Sequence, residues 1–108
     1  MGVKLTNNAS TTVPAAVSSI ATTLVVATGT GVEFPILGGT DYFFATLQDV
    51  NNNYEIVKVT ARTSDTMTIV RGQESTLAIP FPANSRFELR VTVENMLATF
   101  TDLNFLLL

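Results

Sequence analysis

The chain has no cysteine, no histidine and no tryptophan. Without Cys there is no disulfide framework and no thiolate nucleophile, and the redox compartment leaves no mark on the sequence. Without His the commonest general base at neutral pH is missing, and with Cys also absent most zinc sites are excluded. Charge is scarce as well: 14% of residues are charged, against a usual share of about 25%. The net charge is −3, and the six cations (Lys4, Lys58, Arg62, Arg71, Arg86, Arg90) are scattered, so no nucleic-acid partner held by its phosphates is expected. Met1 to Ser10 is polar and Asn-rich, unlike a secretory leader, and no apolar run is long enough to span a bilayer, so no membrane partner is expected. Gly2 with Thr6 fits a loose myristoylation pattern and Asn8-Ala9-Ser10 a glycosylation sequon, both short enough to occur by chance.

What is present is 46% hydrophobic and rich in Thr and Asn. A chain of 108 residues makes one domain. Such a domain buries roughly 60–70% of its unfolded surface, a thin margin that contact with other subunits would widen. With so few charges, the surface is either coated with Thr and Asn or partly covered by a partner, and a homo-oligomer or larger assembly is the expectation.

The grammar of the chain is β. Thr22 to Thr28 is β-branched and apolar, bounded by Gly29 and Gly31, and reads as a strand. Asp41 to Gln48 is an aromatic-rich strand, and Asp49 to Asn53 a polar turn, because Asn and Asp tolerate left-handed backbone and bond their own chain. Tyr54 to Ala61 returns as a hairpin partner with Val57, Val59 and Ala61 on one face. Ser64-Asp65 turns into Thr66 to Arg71. In the last strand Ser85, Phe87, Leu89 and Val91 alternate with Arg86, Glu88 and Arg90, an apolar face inward and a charged ladder outward. The expected fold is all-β, mainly antiparallel: a small β-sandwich or partly open barrel. Residues 1–20 read as extended arm and loop, 21–92 as the β core, and 93–108 as an apolar C-terminal helix or tail. Thr92 is the N-cap candidate of that helix, and Val93, Met96, Leu97, Phe100, Leu103 and Leu107 form its apolar stripe.

Chemistry is hard to find. An enzyme without His or Cys needs a carboxylate pair or a Ser/Lys arrangement, and the nine carboxylates sit mainly in turns or beside basic residues. No G-x-S-x-G elbow, P-loop or dinucleotide fingerprint occurs. A divalent-metal site on Asp41 or Asp49 is a weak alternative. No enzyme, no cofactor and no metal is the expectation.

Several segments, taken in order, resemble a small β module of tailed-bacteriophage virion structural proteins. They are Val3 to Ser10 (an opening arm), Thr23 to Ala27 with Gly29-Thr30-Gly31, Asp41 to Leu47, Glu55 to Ala61, Val70-Arg71-Gly72-Gln73-Glu74 with Thr76 and Ala78, and Arg86 to Arg90. Each is short, and their order carries the likeness up to Thr92. Two departures stand out: Ser75 where related modules often carry Gly, expected to change only the turn type, and Pro80-Phe81-Pro82, expected to stiffen a loop and present Phe81 outward or into a neighbour. The resemblance implies a virion structural protein whose partners are the major capsid protein or other virion proteins. Two placements are open: a decoration or cement protein on the capsid surface, placed first, or a tail, baseplate or fibre-anchoring component. A trimer suits both by analogy.

The expected subunit contacts are Val3, Lys4 and Leu5 in the arm, Phe81, and Phe100, Phe105, Leu106, Leu107 and Leu108 in the tail, which either docks into a neighbouring subunit or folds back onto its own sheet. Arg71, Gly72 and Glu74 form an expected structural corner, Arg71 tying it to a carboxylate such as Glu74 or Glu88. A carbohydrate-binding module stacking sugars on Tyr42, Phe43, Tyr54 or Phe81 is the reading from another class.

Overall fold

The computed structural model describes residues 2–6 and 9–90. It is mostly antiparallel β, a single curled sheet of half-barrel form with almost no helix. The strands are β1 (Gly2–Val3), β2 (Ser10–Val13), β3 (Thr23–Val25), β4 (Asp41–Gln48), β5 (Tyr54–Thr63), β6 (Thr66–Gln73) and β7 (Ser85–Glu88). Their order across the sheet is β2-β7-β4-β5-β6-β3, with β1 pairing in parallel to the start of β4. Among the described residues a 3-10 turn at Gly31–Glu33 is the one helical element between the strands.

The centre of the sheet is the meander β4-β5-β6, built where the sequence is richest in aromatic and β-branched residues. β4 is buried on both faces from Phe43 to Leu47, as befits a central strand. Inside the curl, Phe34 stacks on Phe43 (ring centroids 5.8 Å) and tilts against Phe87 (5.3 Å). Val57 and Val59 of β5, Met67 and Ile69 of β6, and Leu24 and Val26 pack into the same core, with Val13, Val17, Leu47 and Phe81 among its other members.

The curl brings the two edge strands together. The Ala27 N–H donates to the Thr12 carbonyl at 2.9 Å, and the Thr11 and Thr30 hydroxyls meet at 2.7 Å. The Thr-rich segment read as arm and loop therefore contributes two strands to the sheet. β2 pairs with β7 from Ser10↔Glu88 to Val13↔Ser85, and Gly2 and Val3 align with Asp41 and Tyr42.

Three local expectations are corrected. Ala61 is exposed rather than on the Val57–Val59 face, because a register shift between Val59 and Ala61 reverses the alternation there. Glu88 does not stand out in solvent as part of an open ladder but is 8% exposed, covered by its partners. Phe81, expected at the surface, is 1% exposed in the core. Its backbone exchanges two 2.8 Å hydrogen bonds with Val17, an isolated bridge that draws the Pro80–Pro82 segment inward. The expected C-terminal helix lies outside the described residues.

Candidate interaction surface

The Arg-Gly corner is created by a register shift in β6. Between the pairs Ile56↔Gln73 and Lys58↔Val70, β6 spends one residue more than β5. Gly72 adopts φ +63° at this step, and a Cβ there would approach the Thr76 carbonyl oxygen to 3.3 Å. Glycine is the residue that takes such a backbone at no steric cost. Arg71 stays in phase with the inward-facing Met67 and Ile69 and meets Glu55, in phase with Val57 and Val59. Arg71 Nε and Nη2 each lie 2.8 Å from separate oxygens of Glu55. The guanidinium also donates to the carbonyls of Ser18, Ala21 and Ile79, so all five of its N–H groups are used. The carboxylate takes two more bonds, from the backbone N–H of Gly72 (2.8 Å) and of Ile79 (3.0 Å).

Glu55 is fully buried. Burial pushes its pKa up, but the Arg71 guanidinium and the two backbone N–H groups outweigh it, and the net shift is downward. The expected tie of Arg71 to Glu74 or Glu88 is thus corrected to Glu55. A charged residue in step with buried valines was the signal in the sequence, and it points to a buried ion pair.

Two further carboxylates act as anchors. Asp65, in the β5–β6 turn, accepts from the N–H groups of Gly29 (3.0 Å) and Gly31 (2.9 Å), which hold its pKa down. Glu88 accepts from Ser10 Oγ (2.9 Å), Arg90 Nε (2.8 Å) and both Nε and Nη2 of Arg86, while Arg90 reaches on to Gln48 at 2.6 Å. Burial raises the Glu88 pKa, and these donors bring the net shift down. Asp49 is held down by the Asn53 side chain and by the N–H groups of Asn53 and Asn51. All four carboxylates are therefore anionic at neutral pH, and each ties neighbouring loops or strands together through the hydrogen bonds it accepts.

No known protein family and no curated protein matches the chain. Its surface must speak for itself.

Of the expected contact residues, Val3 pairs with Tyr42, Lys4 lies 4.0 Å from the Asp41 carboxylate and donates its N–H to Tyr42, and Leu5 is 46% exposed. Phe81 is in the core, and Phe100, Phe105, Leu106, Leu107 and Leu108 lie outside the described residues. Glu74 and Ser75 follow the corner at φ +51° and +67°, two successive left-handed residues. The proposed metal ligands Asp41 and Asp49 are engaged by Gly38 and Lys4 and by Asn51 and Asn53 respectively. Among the described residues no three acidic side chains gather to hold a metal ion.

Six of the nine large exposed apolar side chains among the described residues fall in two regions, apart from Ile20, Val25 and Val70. Leu5, Val32 and Ile36 lie near the segment where Thr6 Oγ1 bonds the Glu33 carbonyl, and Val50, Tyr54 and Leu77 surround the β4–β5 turn. Beside that turn lies an open trough of about 370 Å³, with Asn52, Asn53 and Tyr54 on one side and Ser75, Thr76 and Leu77 on the other. A second depression of about 280 Å³ flanks the same turn near Gln48, Asn84 and Arg86.

Proposed function

We propose that this chain is a bacteriophage virion structural protein, most simply a capsid decoration or cement protein that binds and reinforces the major capsid lattice. What supports this reading is the ordered set of sequence segments that resemble the phage module. Two of the most specific, Glu55 to Ala61 and Val70 to Glu74, meet at the Arg71–Glu55 contact. The low charge and the exposed Ile20, Val32, Ile36, Val50 and Leu77 are what a domain working against other subunits would carry.

In this reading the protein acts mechanically, not as an enzyme, and needs no cofactor. Its curled sheet is a compact barrel or sandwich body. Its N-terminal arm, Val3 to Ser10, adds a strand to the sheet edge of a neighbour, where backbone bonds give affinity and side chains give register. β1 is the shortest strand, paired to β4 at two residues and continued by the Lys4 N–H bond to the Tyr42 carbonyl, and exchange of that strand onto another copy is the route this reading uses. In this reading the apolar C-terminal segment serves a second contact, Phe105 to Leu108 being buried by a neighbouring subunit at about 25 cal/mol per Å². Many such contacts on a symmetric lattice, in a trimer or other homo-oligomer, sum through effective concentration.

The test is copy number per purified particle. A number comparable with the major capsid protein supports cement on the capsid surface. A few copies move the protein to the tail, baseplate or fibre anchor, and absence from the particle overturns the virion reading.

A further inference from the structure

We infer that the trough between Tyr54 and Ser75 is a binding site for a neutral saccharide. It would stack one sugar ring on the Tyr54 phenol and bond the sugar hydroxyls through Asn52, Asn53 and Ser75. This goes beyond an assembly role and does not depend on it.

Four aromatic side chains were candidates for stacking, and burial separates them. Phe43 and Phe81 are closed in the core, and the Tyr42 ring is covered by the Lys58 ammonium 4.5 Å from its centroid. Tyr54 is 54% exposed at the first position of β5, beside the trough. A pyranose has an apolar C–H face and a rim of hydroxyls, so it needs one open ring with short polar groups beside it.

The trough supplies those groups. Among the described residues the Tyr54 hydroxyl, the Ser75 hydroxyl and the Asn52 side-chain nitrogen make no hydrogen bond within the protein. The Asn53 amide is oriented by its 3.0 Å bond from Nδ2 to Asp49, with its carbonyl end left to accept. No charged side chain lines the trough, so its chemistry fits a neutral ligand rather than a phosphate, a sialic acid or an acidic peptide.

The backbone gives independent support. Of the residues lining the trough, Ser75 (φ +67°) holds a left-handed conformation that a serine adopts at a cost, whereas Asn52 (φ +65°) is an ordinary turn asparagine. Strain of this kind gathers at ligand sites, where it fixes the direction of a side chain before binding.

The experiment is an NMR titration of the full chain with neutral oligosaccharides of glucose, galactose and N-acetylglucosamine, together with a printed glycan array. The expected result is saturable shift changes confined to residues around Tyr54 and Ser75. Tyr54→Ala should weaken binding about tenfold or more, as expected for loss of a stacked ring. Tyr54→Phe should keep most of it, and Ser75→Gly should weaken it without lowering the unfolding temperature. Tyr54 is exposed, so its variants should fold, and thermal unfolding verifies this. Absence of binding to every neutral glycan overturns the inference, as does binding that Tyr54→Ala leaves unchanged. Capture of a virion protein by this face with all glycans silent would assign the trough to subunit contact instead.

Discussion

The guanidinium of Arg71 grips the carboxylate of Glu55 through two parallel 2.8 Å bonds inside the curl of the sheet, where neither oxygen reaches water. Through the same pair the Ser18–Ala21 loop, the β6 corner and the Ile79 backbone are all joined to β5. Breaking one partner leaves the other charge buried and uncompensated. Arg71→Met or Glu55→Gln should therefore destabilise the fold by about 3–5 kcal/mol. Arg71→Lys should recover little of it, because an ammonium cannot make five bonds in a planar fork. Urea unfolding measures the loss, and a change below about 1 kcal/mol would refute this account.

Acid should weaken the fold through the same groups. The folded pKa values of Glu55 and Glu88 lie below their ordinary 4.5, so the unfolded chain binds more protons as pH falls. The stability they contribute is fully present above that value and drains away as pH drops through the folded values. Glu55→Gln should be less stable than the parent at neutral pH, and the gap between them should narrow below pH 4.5. Urea midpoints across that range decide it; a constant gap would mean Glu55 is not the linked group.

Gly31 and Gly38 make a contrasting pair. A Cβ on Gly31 would run into the Ser64 carbonyl oxygen and the Asp65 side chain, whereas one on Gly38 would meet nothing within 4 Å. Gly31→Ala should cost about 1–3 kcal/mol or more, because the backbone itself must move. Gly38→Ala should be neutral or add roughly 0.4–1 kcal/mol by restricting the unfolded chain. Thermal unfolding of the two variants side by side measures the difference.

Ser75→Gly should stabilise the fold by up to about 1 kcal/mol, the relieved left-handed strain exceeding the added freedom of the unfolded chain. A fall in the unfolding temperature would show that the Ser75 hydroxyl supports the loop directly.

Removing Phe105 to Leu108 should leave a folded domain that attaches more weakly to the particle. Among the described residues, the buried core cluster runs from Ala9 to Phe87. Circular dichroism and particle-binding assays separate the two effects, and unfolding of the truncated chain would place the tail in the core instead.

Local pattern made much of this molecule legible. Asp41 to Gln48 forms the strand that its residues predict, and Asp49 binds the turn after it as an Asx anchor should. What the pattern could not reveal depends on partners far along the chain. β2 is a strand because β7, 78 residues later at the Ser10–Glu88 bond, gives it an edge, and Ser10–Val13 alone looks like any Thr-rich loop. Phe81 was misplaced for the same reason: its flanking prolines suggest an exposed loop, and only the bridge to Val17 turns it inward. The Tyr54 trough joins the β4–β5 turn to the loop after β6, so neither segment alone hinted at it.

The meeting of the two edge strands at Ala27 and Thr12 has a consequence for synthesis. β2 and β3, which precede the central meander in the chain, occupy opposite ends of the strand order, and each pairs with a strand that follows later. β2 must wait, unpaired, until β7 has left the exit tunnel, while β4, β5 and β6 can zip as they emerge. β2 is thus the last of these strands to be secured, and any helper or neighbouring copy that acts during translation has that interval in which to engage it.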